Sequence, residues 1–131
     1  MFVDASALTA MLTNERDARE LLARLQTTSL RRTSPLAVWE TVLAVARSFG
    51  IEIRDAEAAV VAFLDLAKIT VHPVPVEATA IALDAFARFG KGRHPAALNF
   101  GDCFAYACAR HAAMPLLYKG DDFPQTDIEA A

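Results

Sequence analysis

Apolar side chains recur at helical spacing in several blocks of this chain. Within residues 18–25 they occupy positions i, i+3, i+4 and i+7, which predicts an amphipathic helix. Asn14 is expected to cap that helix at its amino end. Ser34 and Pro35 are typical of a helix start, as cap and first residue, and Gly50 is typical of a helix end. The pattern therefore predicts a second helix that ends just before Gly50.

Three more helices follow from similar signals. Asp55 is expected to cap a helix over residues 56–67, Pro75 to open one that ends at Gly90, and a last helix to cover residues 100–113. Residues 56–67 are apolar in most directions around the helix axis. Such a helix is either buried on all sides or covered by a partner. We therefore expect part of this helix to meet another protein.

Short apolar or β-branched runs alternate with these helices. The predicted strands are residues 2–3, 31–34, 69–71 and 116–118, with residues 127–129 as a candidate last strand. Strands that alternate with helices predict an α/β fold with a mainly parallel sheet and right-handed crossovers. At 131 residues, 54% of them hydrophobic, the chain is expected to form one domain over residues 1–131.

Composition and charge limit the class of protein. No apolar run reaches the roughly 18 residues of a membrane helix, and the amino end lacks the basic region of a signal peptide, so we expect a cytoplasmic protein. Cys103 and Cys108 lie on one predicted helix, pointing to different faces, and are expected to be buried or half-buried side chains without a disulfide. The net charge of −3 disfavours nucleic-acid binding unless acidic side chains gather around a cation.

Several acidic residues lie where such a cluster could form. Asp4 directly follows the first strand, and Asp121 and Asp122 follow the strand at residues 116–118. In an open parallel sheet, ligands bind outside the carboxyl ends of the strands. Glu40 lies on a helix that leaves the same edge, and Asp102 lies in the first turn of the last helix. We therefore expect these carboxylates to converge at one edge of the sheet.

Each acid also has a structural interpretation. Asp102 could serve only the helix dipole, and the other aspartates could be turn residues. Glu40 is harder to explain in this way, because Leu36, Trp39 and Leu43 share its helix face and should bury it partly. A carboxylate in that position must either reach water or meet a cation. Trp39 itself is expected to belong to the core.

The physics of a carboxylate cluster favours a divalent cation. Two carboxylates about 4 Å apart repel by about 4 kcal/mol at an effective dielectric constant of 20. Oxygen ligands alone favour Mg²⁺ or Mn²⁺ over zinc. Such an ion lowers the pKa of a bound water and stabilises charge on a phosphate. The cluster therefore predicts metal-assisted hydrolysis of phosphodiester bonds.

Four segments resemble, in the right order along the whole chain, the motifs of PIN-domain ribonucleases of the VapC toxin type. The opening motif is similar to residues 3–8, and the second acid on its helix is similar to residues 34–40. The central and carboxyl-terminal motifs are similar to residues 92–107 and 116–128. The resemblance implies a three-layer α/β/α sandwich around a parallel sheet of four or five strands. It also implies an endoribonuclease that uses Mg²⁺ or Mn²⁺.

The resemblance also implies roles for individual residues. Asp4, Glu40, Asp102 and Asp122 would form the catalytic and metal-binding quartet, with Asp4 and Asp102 as the firmest ligands. The Asp-Phe pair of the last motif aligns with Asp122 and Phe123, so Asp122 is preferred over Asp121.

Each of the residues near the quartet has two possible roles. Ser6 would orient Asp4 through its hydroxyl or cap a helix. Asn99 would support the site or, more in keeping with its position, cap the last helix. A basic loop could hold RNA phosphates or be an ordinary solvated loop, and its residues are Lys91, Arg93 and His94.

The implied partners are an RNA substrate, a VapB-like antitoxin and a second copy of the chain. The antitoxin segment would lie over the helices near Glu40, with a basic side chain among the carboxylates. A PIN-type nuclease that processes RNA without an antitoxin is the main alternative. A phosphatase of the haloacid-dehalogenase type is disfavoured, because it needs a second aspartate where this chain has Ser6.

Overall fold

The computed structural model describes all residues from Met1 to Ala131. Four strands and six helices alternate along the chain, followed by one short 3-10 turn. They are β1 (Phe2–Val3), α1 (Ala5–Leu12), α2 (Ala18–Leu25), β2 (Arg31–Thr33), α3 (Pro35–Phe49), α4 (Ile53–Leu66), β3 (Ile69–Val71), α5 (Ala78–Phe89), α6 (Phe100–His111), β4 (Leu116–Leu117) and the turn Phe123–Gln125. All strand pairs are parallel, in the order β3-β2-β1-β4. The predicted α/β fold with a parallel sheet is confirmed.

The sheet separates two apolar cores. Val3 and Leu117 point into a core that they share with α1, α2, α3 and α4. Phe2 and Leu116 point the other way, into a core built mainly by α5 and α6. Neighbouring residues of a strand face opposite sides of a sheet, so β1 and β4 each contribute to both cores. This arrangement is the three-layer α/β/α sandwich that the sequence predicts, with four strands.

Local signals at helix ends act as the sequence predicts in α3 and α6. The Ser34 side chain accepts a hydrogen bond from the Ala37 amide (3.1 Å), Pro35 occupies the first turn, and Gly50 ends α3 in a left-handed conformation (φ 62°).

Cys103 and Cys108 on α6 are buried free thiols, as expected. None of the six helices is long and apolar enough to cross a membrane.

Other helix boundaries differ from the predictions. Asn14 does not cap α2, because it adopts a left-handed turn conformation (φ 53°) and the helix begins only at Ala18. Asp55 lies inside the first turn of α4, whose N-cap is Glu52. Pro75 precedes α5 rather than opening it, because its carbonyl accepts a turn hydrogen bond from the Ala78 amide (3.0 Å).

The last predicted strand, residues 127–129, is not a strand. One isolated bridge joins Leu116 to Ala130 instead. The Asp127 side chain accepts hydrogen bonds from the Tyr106 hydroxyl and the Arg88 guanidinium, both at 2.6 Å. Burial alone would raise the pKa of Asp127. These hydrogen bonds and the positive charge of Arg110 hold that pKa below its usual range instead. Side-chain bonds to α5 and α6 therefore hold Asp127, and the backbone pairs with β4 only at the end of the segment, where the Leu116 amide donates to the Glu129 carbonyl (2.8 Å).

Candidate active site

An open cleft of about 530 Å³ lies at the carboxyl edge of the sheet. Asp4, Glu40 and Asp102 all line it. Asp4 follows β1, Glu40 lies on α3 and Asp102 lies on α6. The tertiary structure thus brings together three of the four acids that the sequence singles out.

Asp4 is held rigidly at the start of α1. It is the N-cap of that helix, and its Oδ2 atom accepts hydrogen bonds from the Ser6 amide (2.9 Å) and the Ser6 hydroxyl (2.6 Å). The Ser6 oxygen also accepts a hydrogen bond from the Lys119 amide (3.0 Å), just beyond β4. Burial raises the pKa of Asp4, although the bonds from Ser6 oppose that shift. The hydrogen bond predicted between Ser6 and Asp4 is therefore present and ties two strand ends together.

Glu40 is half-buried, as its helix face predicts. Burial raises the pKa of Glu40 to about 7, and the negative charges of Asp4 and Asp102 add to that shift. Its carboxyl group lies against Gly101 on α6, where a methyl group added to Gly101 would overlap both carboxyl oxygens. Gly101 therefore allows α3 to present this acid to the cleft.

Sequence reasoning missed Gly101, although a signal was present. Glycine costs about 1 kcal/mol relative to alanine inside a helix. A glycine in the first turn of α6, directly before Asp102, therefore indicates a need for space.

Asp102 combines a helix-capping role with its position in the cleft. Its Oδ2 atom accepts a hydrogen bond from the Asn99 amide (2.8 Å), while its own amide donates to the Asn99 side chain (3.0 Å). Asn99 is thus the N-cap of α6, as the sequence favours. Burial raises the pKa of Asp102 to about 6, the bond from Asn99 opposes this, and the charges of Asp4 and Asp122 add to it.

The two neighbouring aspartates near the carboxyl end occupy different surroundings. Asp121 and Asp122 are both exposed, and neither lines the cleft. Asp122 lies near enough for its charge to raise the pKa of Asp102. Asp121 lines a neighbouring cavity of about 560 Å³ beside α2, which shares Lys119 with the cleft. The position of Asp122 at the margin of the acidic cleft favours it as the fourth acid, and that assignment stays a prediction.

The donor set suits a hard divalent cation. Asp4, Glu40 and Asp102 offer only carboxyl oxygens, and each has a raised pKa because burial, and for Glu40 and Asp102 also mutual repulsion, disfavours the charged form. A bound cation would remove that penalty. No three acidic, histidine or cysteine side chains stand close enough to form a complete ligand set. The side chains would therefore have to move together to share one ion.

Two basic residues line the same cleft, and sequence reasoning missed both. Lys119 follows β4 and pairs through its ammonium group with Glu15. Arg47 lies seven residues after Glu40 on α3, and that spacing of two helical turns was the available signal. These cations offset part of the negative charge of the cleft.

The basic loop after α5 lies elsewhere. Lys91, Arg93 and His94 do not line the cleft. The Arg93 guanidinium lies over the Phe86 ring (5.5 Å to the ring centre), and the His94 ring meets Phe89 edge-on. Their contact with RNA stays a prediction, and any such contact would be outside the acidic cleft.

A three-layer sandwich with carboxylates at the carboxyl edge of a short parallel sheet is the architecture of a PIN domain. The sequence profile of the PIN domain family matches residues 1–129. A solved structure, that of VapC20 of Mycobacterium tuberculosis, a toxin that cleaves the sarcin–ricin loop, superposes with a TM-score of 0.76. The match covers 99% of this chain and 97% of that one at 19% sequence identity, which supports the fold.

Curated relatives are closer in sequence. Ribonuclease VapC30 of Mycobacterium tuberculosis is 39% identical over 135 residues, covering 98% of this chain and 95% of that protein. Ribonuclease VapC of Mycolicibacterium smegmatis is 38% identical over 130 residues, covering 99% of this chain and 98% of the relative. This chain therefore belongs to the PIN-domain family, as a VapC-type member.

Proposed function

We propose that this protein is an endoribonuclease that hydrolyses RNA phosphodiester bonds with Mg²⁺ or Mn²⁺, as the toxin of a type II toxin–antitoxin pair. The observation that carries the proposal is the convergence of Asp4, Glu40 and Asp102, from three different elements, in one open cleft. VapC relatives that match nearly the whole chain carry the name ribonuclease, which supports RNA as the substrate.

The acids have distinct parts in this proposal. Asp4, fixed by Ser6, and Asp102, fixed by Asn99, are the residues that would hold the ion. When bound, the ion would lower the pKa of a coordinated water and offset charge on the scissile phosphate. Glu40 has a pKa of about 7, which suits a group that accepts a proton from the attacking water at its carboxyl oxygen.

The basic residues of the cleft would bind the substrate. Lys119 and Arg47 lie within the same cavity as the acids, so an RNA strand there would meet both charges. Cationic side chains bind phosphates by charge with little dependence on sequence. Glu15 pairs with Lys119 and would hold its ammonium group in place. Lys119 and Arg47 are therefore expected to affect RNA binding more than the chemical step.

Metal dependence tests the proposal directly. The purified protein should cleave a structured RNA with Mg²⁺ or Mn²⁺ and stop when EDTA is in excess. Asp102→Asn should reduce kcat by roughly 100-fold or more, because a ligand charge is lost. It should still fold, because the amide oxygen can keep the bond from the Asn99 amide.

Asp65→Asn is the matched control, because Asp65 is an exposed acid on α4 outside the cleft. It should cleave like the wild type. Undiminished cleavage in EDTA, or an Asp102→Asn variant as active as this control, would contradict the mechanism.

A further inference from the structure

A second cavity, of about 390 Å³, lies between the loop that follows β3 and the carboxyl end of α6. It shares no lining residue with the acidic cleft. Its basic lining residues are Arg32, His72 and His111, and no acidic residue lines it. The cavity is therefore a concave site with the opposite charge character from the proposed active site.

The Arg32 side chain has no hydrogen-bond or ion-pair partner within the protein. It lies on β2 in register with Phe2, which points into the core of α5 and α6. Its Nε atom is buried and is the only buried side-chain nitrogen or oxygen without a hydrogen-bond partner. None of the four ion pairs in the structure includes Arg32. The buried Nε atom itself is out of reach of solvent, but Arg32 lines the cavity, so an anion there would meet a guanidinium group that no acidic side chain neutralises.

The two histidines bring further donors to the same cavity. His72 Nε2 lies 3.1 Å from the Thr70 hydroxyl, and this bond fixes the orientation of its ring. Thr70 lies in register with Arg32 on the neighbouring strand, and His72, two residues further on, lines the same cavity as Arg32. His111 lines the cavity from the last turn of α6. An imidazole N–H donates hydrogen bonds, so both histidines can add donors to those of the Arg32 guanidinium.

We propose that this cavity binds the phosphate group of a small anion, either inorganic phosphate or a nucleoside monophosphate. A guanidinium group recognises phosphate through paired N–H donors. The volume falls in the range of sites for small molecules. Pro73 and Pro75 form an apolar wall that a nucleoside could pack against.

Calorimetric titration of the full chain in EDTA, with phosphate, AMP and adenosine in separate experiments, tests this proposal. Phosphate or AMP should bind, adenosine should not, and Arg32→Met should weaken the binding at least tenfold. Arg54→Met is the matched control, because Arg54 is exposed on α4 outside this cavity, and it should bind like the wild type. AMP binding more tightly than phosphate would assign the site to a nucleotide, and equal affinities would assign it to the free anion.

The three histidines provide an independent NMR readout. The bound anion should shift the ring signals of His72 and His111 and leave those of His94, which lies outside the cavity, unchanged. His72→Ala should weaken binding if Arg32→Met does not fold. Equal binding by the wild type and either cavity variant, or a shift of His94 alone, would overturn the proposal. So would an uncleavable RNA that shifts these two histidines when phosphate and AMP do not.

Discussion

Gly101 leaves the space in which Glu40 reaches the acidic cleft. The Glu40 carboxyl group occupies the space that a side chain at position 101 would need. Because Gly101 lies in an ordinary helical turn, alanine would suit its backbone. The glycine therefore serves the position of Glu40 rather than the stability of α6.

Gly101→Ala should separate activity from stability. The added methyl group should displace the Glu40 carboxyl group and lower kcat by roughly tenfold or more, since misplacement of about 1 Å is costly. The melting temperature should stay equal or rise, because alanine favours a helix by up to about 1 kcal/mol. In a Glu40→Ala background, the same change should cause no further loss of activity. A further tenfold loss there would show that Gly101 acts through another residue.

The fourth acid can be assigned by a second comparison at the residue scale. Only Asp122 is near enough for its charge to act on Asp102, whereas Asp121 faces a different cavity. We therefore expect Asp122→Ala to lower kcat/KM by roughly tenfold more than Asp121→Ala, and steady-state cleavage kinetics would measure both. Equal or reversed losses would assign the role to Asp121.

At the scale of elements, the start of α1, the middle of α3 and the start of α6 meet at the cleft. Holding their acids together there costs free energy of folding when the acids are ionised. Glu40 has a pKa of about 7 against an ordinary value of 4.5, and Asp102 about 6 against 3.8. Raised values mean that the folded chain binds more protons than the unfolded chain between these limits. Below about pH 4 these acids are protonated in both states and do not reduce the free energy of unfolding. As the pH rises through 6 to 7 they ionise in the folded chain, and the free energy of unfolding falls.

The melting temperature in EDTA should therefore fall between pH 5 and pH 8 through this cluster. Mg²⁺ should raise the melting temperature more at pH 8 than at pH 5, because a bound cation offsets ionised carboxylates. Glu40→Gln should flatten the pH dependence, since its side chain does not titrate. Thermal unfolding of both proteins across this pH range measures the effect. If the melting temperature depends on pH equally in the wild type and in Glu40→Gln, then ionisation of Glu40 does not destabilise the folded chain.

At the scale of the whole molecule, several apolar side chains remain uncovered. On α4 only one stripe, Ala56, Val60 and Leu64, is buried, and Leu66 is 84% exposed. Trp39 was expected in the core but is 64% exposed, because α3 turns it toward the mouth of the cleft. Exposed apolar groups of this size often mark interfaces. The expectation of a partner at the helices near Glu40 therefore keeps its physical basis.

We expect the chain to form a homodimer and to bind a small antitoxin, which the adjacent gene is expected to encode. Size-exclusion chromatography with light scattering, alone and with that antitoxin, would measure both associations. Trp39→Ala should weaken antitoxin binding more than tenfold, because buried tryptophans are frequent anchors of interfaces. Lys91→Ala, in the exposed loop after α5 and outside the cleft, should bind normally. A monomer that ignores the neighbouring gene product would favour the alternative of a nuclease without an antitoxin.

The sequence by itself determined what depends on neighbours along the chain. Ser34, Pro35 and Gly50 set the ends of α3, and Asn99 the start of α6, because capping is a local interaction. The alternation of strands and helices fixed the fold class and brought Asp4 to the carboxyl edge of the sheet. Helix α1 went unpredicted because five of its eight residues are buried, which removes the amphipathic pattern.

Only the tertiary structure decided which side chains meet across elements. The contact between Glu40 and Gly101 spans sixty-one positions of the chain, and no local pattern encodes it. The same holds for Lys119 beside Asp4 and for the unpartnered Arg32 beside His72 and His111. The pattern of a helix shows which residues share a face, but the packing of the layers decides what that face contacts. The sequence wrongly predicted Trp39 in the core for this reason, because the side of α3 that carries Trp39 lines an open cleft.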